Sequence, residues 1–225
     1  REINQIRREI LDTATELLKN HYTPTKKAVK EVRKNLTKFF EDYESDKGKV
    51  KKKTPKLSIF IDDISQIHAA SGFDLKRIYF DGNCHYNNPQ DYFANIKETL
   101  KKGSLMASPT EFVWVLSSFI SEEDAIRCNE IVKELEDEGI IISVMGDFPG
   151  MGEIFDCPIY GNHNLNVWNS FCVRDLNESG FKSLILSSEL SGSEIKEILL
   201  KNHDRNIDLE MIVNGNLEVI VSKDD

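Results

Sequence analysis

The stretch FVWVLSSFISEEDAIRCNEIVKELEDEGIIISVM, residues 112–145, decides the fold. Its two ends, FVWVL (112–116) and IIISVM (140–145), are short runs rich in β-branched and aromatic residues, the composition of strands. Between them Ser121 precedes Glu122, Glu123 and Asp124. That is a hydroxyl cap with acids behind it at the positive end of a helix. Gly139 closes the helix at the position after its C-cap, where a left-handed backbone is wanted. Strand, helix and strand in that order predict a parallel pair joined by a right-handed crossover.

The same rhythm extends both ways. Further strands are expected at LSIFI (57–61), RIYF (77–80), PIYG (158–161), SLILS (183–187) and LEMIVN (209–214). Helical patterns lie between most of them: NPQDYFANIKETLKK, VWNSFCVRDLNESG closing at Gly180, and SGSEIKEILLKN opening at Ser191 or Ser193. Seven strands in such alternation suit either an open doubly wound sheet or a (β/α) barrel. No Gly-x-Gly-x-x-Gly follows a strand and no Walker loop is present, which weighs against dinucleotide and nucleotide binding. The expected fold class is therefore α/β, a TIM-barrel-like (β/α) barrel that need not be complete, with an N-terminal helical arm. The expected domains are arm and basic linker over 1–55 and barrel over 56–225.

The arm reads as two amphipathic helices. Ile3, Ile6, Ile10, Ala14 and Leu17 form one stripe; Val29, Val32, Leu36, Phe39 and Phe40 form another. Pro24 interrupts the pattern between them. ESDKGKVKKKTPK follows without apolar periodicity and reads as a solvated linker. Charge divides at the same place. Residues 1–55 carry 15 Lys/Arg and 9 Asp/Glu, and 56–225 carry 14 and 29, so +6 and −15 sum to the net −9. The acidic body is no nucleic-acid surface, whereas the basic arm suits RNA phosphate or an acidic protein.

No apolar run approaches the roughly 18 residues of a bilayer span, and the charged opening REINQIRREI is no signal peptide. Four cysteines (Cys84, Cys128, Cys157, Cys172) form no Cys-x-x-Cys pair and read as reduced, buried thiols. A cytoplasmic chain without a membrane partner is expected. The start without Met and the end at VSKDD suggest a piece of a longer protein.

Barrel function collects where strands end. The candidate pocket is Asp62, Asp81, His85, Asp147, Asn162, His163, Asn166, Asn169, Glu189 and Asn214, a polar and mostly acidic ring suited to hydrogen bonding. In GNHNLNVWNSF (161–171), Asn166 is expected to cap a helix starting near Val167, with Leu165 and Trp168 anchoring the loop in the core. Glu189 is a general base if burial raises its pKa, and otherwise caps or braces a neighbouring loop. Metal-ligand spacings are absent, so no metal is expected here. No Gly-x-Ser-x-Gly elbow frames Ser117, Ser118, Ser187 or Ser188, and adjacency of Cys84 and His85 makes no catalytic pair.

One longer pattern remains. Leu165, Asn166, Val167, Asn169 and Ser170 are followed by Gly180, then Leu186, Ser187, Glu189 and Leu190, then Glu210, Val213 and Gly215. This resembles the collagenase-like proteins of peptidase family U32, closely over 158–225 and more loosely over 56–157. REINQIRREIL resembles the helix that follows the first barrel in longer members. The resemblance implies a TIM-barrel-like fold and a nominal peptidase. Some subgroups are oxygen-independent hydroxylation factors acting on RNA bases or quinone precursors, with an iron–sulfur cluster on four cysteines. In those a His-Gly pair follows the glutamate motif, then cysteines; here Asn214-Gly215 stands instead and no cysteine follows. The resemblance therefore implies the second, cysteine-poor barrel of a two-barrel protein, with the first barrel of the same protein as its partner. No cofactor is expected in this segment, and any iron–sulfur cluster lies in the rest of the parent. The alternatives are half of a hydroxylation factor, with RNA held through the basic arm 26–53, and a non-enzymatic interaction module.

Overall fold

The computed structural model describes residues 2–45, 48, 54–82, 89–118 and 120–215. Cys84 and His85 lie outside them. The chain forms two compact units, residues 1–47 and 48–225.

The first unit is a pair of helices, α1 (Glu2–Tyr22) and α2 (Lys26–Ser45). The Thr25 hydroxyl accepts a hydrogen bond from the Ala28 amide (3.2 Å) and starts α2. Both stripes face solvent: Ile6, Ile10, Leu17, Val32, Leu36 and Phe40 are exposed.

The second unit alternates strands and helices. Its order is β1 (Leu57–Ile61), α3 (Ile67–Ala70), β2 (Leu75–Phe80), α4 (Pro89–Ala107), β3 (Glu111–Val115), α5 (Glu122–Asp137), β4 (Ser143–Gly146), α6 (Met151–Ile154), β5 (Ile159–Gly161), α7 (Ser170–Glu178), β6 (Phe181–Ile185), α8 (Gly192–Lys201) and β7 (Asp208–Glu210). All seven expected strands form. The strands pair in parallel in the consecutive order β1 to β7. A doubly wound sheet reverses its strand order at a switch point, and this one does not. The fold is TIM-barrel-like. Among the described residues no pairing joins β7 to β1, so hydrogen bonds leave the wall open there.

Strand side chains alternate between two cores. Ile78, Phe80, Phe112, Trp114, Val144, Ile159 and Leu184 pack outward under the helices. Tyr79, Val113, Val115, Met145, Tyr160 and Ile185 fill the concave interior. Trp114 is fully buried, and its indole N–H donates to the Tyr92 hydroxyl (2.9 Å). Among the described residues no helix is long and apolar enough to cross a membrane.

Local signals set the helix ends. The Ser121 side chain accepts from the Asp124 amide (3.1 Å), and Gly139 takes φ 79°. Ser191 and Glu194 form a reciprocal capping box. The expectation for 161–171 needs correction. The helix begins at Ser170, not near Val167, and Asn169 rather than Asn166 caps it, accepting from the Phe171 and Cys172 amides at 3.0 Å each. Val167 is unavailable to a helix because it bridges Leu186 in parallel and its carbonyl accepts from the Ser187 amide (3.1 Å). Asn166 turns the chain at φ 50°, a left-handed conformation that asparagine tolerates. Leu165 packs on the core as expected, but Trp168 is 39% exposed and anchors nothing there.

Candidate functional site

The expected polar residues lie where strands end, and the side chains of several, Asp62, Asn162 and Asn169 among them, are occupied by local structure. Asp62 accepts from the Gln66 side chain (2.7 Å), and neighbouring Asp63 caps a 3-10 turn through the Ser65 amide (2.7 Å). Asp81 is half-buried, and its amide donates to the Ile61 carbonyl (2.9 Å), tying the ends of β1 and β2. Asn162 is buried; its side-chain oxygen accepts from the His163 amide and lies 2.8 Å from His163 Nδ1. Asn166 and Asn169 set the backbone as described. Glu189 is exposed, so the burial that a general base there requires is missing. Asn214 is exposed beyond β7. His85 lies outside the described residues.

One set of rim side chains does converge. The Asn164 side-chain amide donates to Ser118 Oγ (3.2 Å) and reaches Asp147 Oδ2 (3.4 Å). This joins the loops after β3, β4 and β5 and leaves a polar edge beside His163. Asn164 and Ser118 were not among the expected pocket residues, because a contact over 46 positions has no local signal.

The strongest polar cluster lies deeper, toward the amino-terminal ends of the strands. Arg77, 4% exposed, donates from Nε to Glu111 (2.7 Å), from Nη2 to Asp208 (2.7 Å), and from Nη1 to Ser183 (3.3 Å) and to Glu210. Its guanidinium lies 4.5 Å from the centre of the Tyr160 ring. Tyr79 and Ser183 also donate to Glu210 (3.1 and 3.2 Å), and Ser143 (2.9 Å) and Tyr160 donate to Glu111. Lys76 pairs with Asp208 at 2.5 Å. Burial alone would lower the Arg77 pKa, but its carboxylate partners raise it, so it stays charged. Burial pushes the Tyr160 hydroxyl up to about 12, helped by its bond to Glu111, so it stays a donor. Burial pushes Asp208 up, yet Lys76 and Arg77 outweigh that and hold it below the usual carboxylate range. The buried Arg77 charge is thus paired and hydrogen-bonded, as a buried charge must be. The cluster ties β2 to β3, β6 and β7 through Arg77. Sequence reading missed it, although RIYF opens on Arg77 and LEMIVN contains Glu210. A charged residue on the inward face of a strand was the available signal.

Among the described residues, the thiols do not fit an iron–sulfur cluster. Cys128 packs in the core from α5, Cys157 sits before β5, and Cys172 lies on α7. Burial pushes the Cys128 and Cys157 thiols up to about 12, whereas a cluster needs thiolates. Among the described residues no group of three or more His, Cys, Asp or Glu is arranged to hold a metal ion. Two grooves lie on the helical exterior, away from the rim. One, of 660 Å³, is lined by Phe171, Cys172, Arg174, Asp175, Glu178 and Arg205; the other runs between α4 and α5.

The profile of peptidase family U32 matches residues 93–224. No curated protein sequence matches the chain. Among solved structures, the chain is similar to the U32 peptidase Mk0906, with 11% identity, TM-score 0.50, and coverage of 72% of this chain and 71% of that one. It is also similar to the YdjI aldolase of Escherichia coli K12, with 14% identity, TM-score 0.38, and coverage of 76% and 77%.

Proposed function

This chain belongs to peptidase family U32, and from that premise we propose that it is an accessory barrel that shapes the substrate site of a larger collagenase-like peptidase. The observation that carries the reading is how the rim spends its polar groups. The side chains of Asp63, Asn162 and Asn169, all at strand-end loops, are taken up by backbone amides. They hold loops in place. Rim side chains from three loops converge at the edge formed by Ser118, Asn164 and Asp147 beside His163, whose donors and acceptors suit a peptide backbone. The catalytic groups then come from a companion barrel of the same cytoplasmic protein, to which this segment is carboxyl-proximal.

A dye-quenched gelatin peptide tests this. The chain should bind the peptide by fluorescence anisotropy and leave it uncut, and Asn164→Ala should weaken binding. Multiple-turnover cleavage by this chain alone would overturn the accessory role. Failure to bind gelatin peptides at any concentration would overturn the substrate-shaping role.

A further inference from the structure

The arm offers a surface that the proposed function does not use. At the α-helical 100° per residue, Ala28, Val29, Val32, Leu36, Phe39, Phe40 and Tyr43 of α2 fall within an arc of about 120°. Val29, Val32, Leu36, Phe39 and Tyr43 keep the three–four spacing of a coiled-coil seam. Yet α2 buries none of its residues, and Val32, Leu36 and Phe40 are 55%, 48% and 54% exposed. Beside it in the same unit, α1 exposes a second stripe at Ile6, Ile10 and Leu17.

The charges of α2 say what covers the stripe. Lys26, Lys27, Lys30, Arg33, Lys34 and Lys38 crowd its amino-terminal two-thirds, against Glu31 alone. Glu41, Asp42 and Glu44 occupy the remaining third, which holds no cation. A parallel copy would set like charge on like charge. An antiparallel copy sets each basic half beside an acidic end, twice, about a two-fold axis near Leu36. On the flank shared with Phe40, this brings Glu41 and Glu44 of one copy toward Lys26, Lys30 and Arg33 of the other. RNA would satisfy the lysines but has no use for the apolar arc, and it would meet repulsion from the acidic end.

We propose that α2 pairs antiparallel with α2 of a second copy of this chain. Two arms together then supply the four amphipathic helices that enclose a bundle core.

Sedimentation of the full chain tests this, together with charge reversal at exposed positions. A dimer is expected at micromolar concentration. Lys30→Glu, Arg33→Glu and Lys34→Glu together should weaken it by about tenfold, as the loss of several exposed ion pairs implies. Glu41→Lys, Asp42→Lys and Glu44→Lys together should do the same. All six reversals combined should restore the dimer, because only a self-partner is changed on both sides at once. Circular dichroism checks that each variant keeps its helices. A monomer at all concentrations overturns the proposal, as does a dimer indifferent to these reversals. Binding to RNA, or to vesicles of phosphatidylcholine and phosphatidylglycerol, in place of self-association also overturns it.

Discussion

Arg77 is where three carboxylates from two other strands meet one cation, and its removal states the cost of that arrangement. Arg77→Met leaves Glu111, Asp208 and Glu210 facing one another in the interior. It should destabilise the barrel by roughly 3–5 kcal/mol, read from urea unfolding followed by tryptophan fluorescence. Asp208 gives a pH signature. Its folded pKa is depressed below the ordinary value of about 3.9, so its contribution is present above that value and lost as pH falls through the folded pKa. Asp208→Asn should therefore be less stable than the parent at pH 6, and the gap should close below about pH 4. A gap that stays constant across that range would mean that the carboxylate charge is not what matters. Cys128 and Cys157 present the opposite case, since burial keeps both as thiols near pKa about 12. Native-state alkylation at pH 8, mapped by mass spectrometry, should leave both unmodified until the protein is unfolded.

At the scale of elements, boundaries followed short-range chemistry wherever a cap and its helix stood alone. Ser121, Gly139, Gly180 and Ser191 were all legible because each acts on backbone within a few positions of itself. The loop 161–171 was misread because a long-range contact intervened. The bridge from Val167 to Leu186 holds the chain extended for three residues more, which shifts the cap to Asn169. Asn169→Ala should lower stability by about 1 kcal/mol through the loss of two amide bonds at the start of α7. Asn166→Ala should be tolerated less well than Asn166→Gly, because φ 50° strains a β-carbon. Thermal unfolding of the three variants compares both positions. In α6, a β-carbon at Gly152 would lie 2.1 Å from the Ser179 carbonyl oxygen, so a glycine is required there by close approach.

For the whole molecule, the accessory reading makes a chemical prediction. Iron and acid-labile sulfide, measured after purification without oxygen, should be far below stoichiometric in this chain. Stoichiometric amounts of both would show thiolates converging and would replace the peptidase-accessory reading with the hydroxylation one. The sequence by itself determined the seven strands, both ends of α5, the close of α7 and the opening of α8, the two stripes of the arm and the family resemblance, but not the short helices α3 and α6. These rest on periodicity, caps and glycines that act within about one helical turn or one strand. Only the tertiary structure decided which charges meet. Arg77 reaches Glu111 across 34 positions and Asp208 across 131, and Asn164 reaches Ser118 across 46. Arg77 and Glu111 meet as register partners on neighbouring strands, whereas Arg77 reaches Asp208 because a parallel sheet with consecutive strands curls until β2 faces β7 across its interior. That curvature sums small twists along every strand, and no single stretch of sequence carries it.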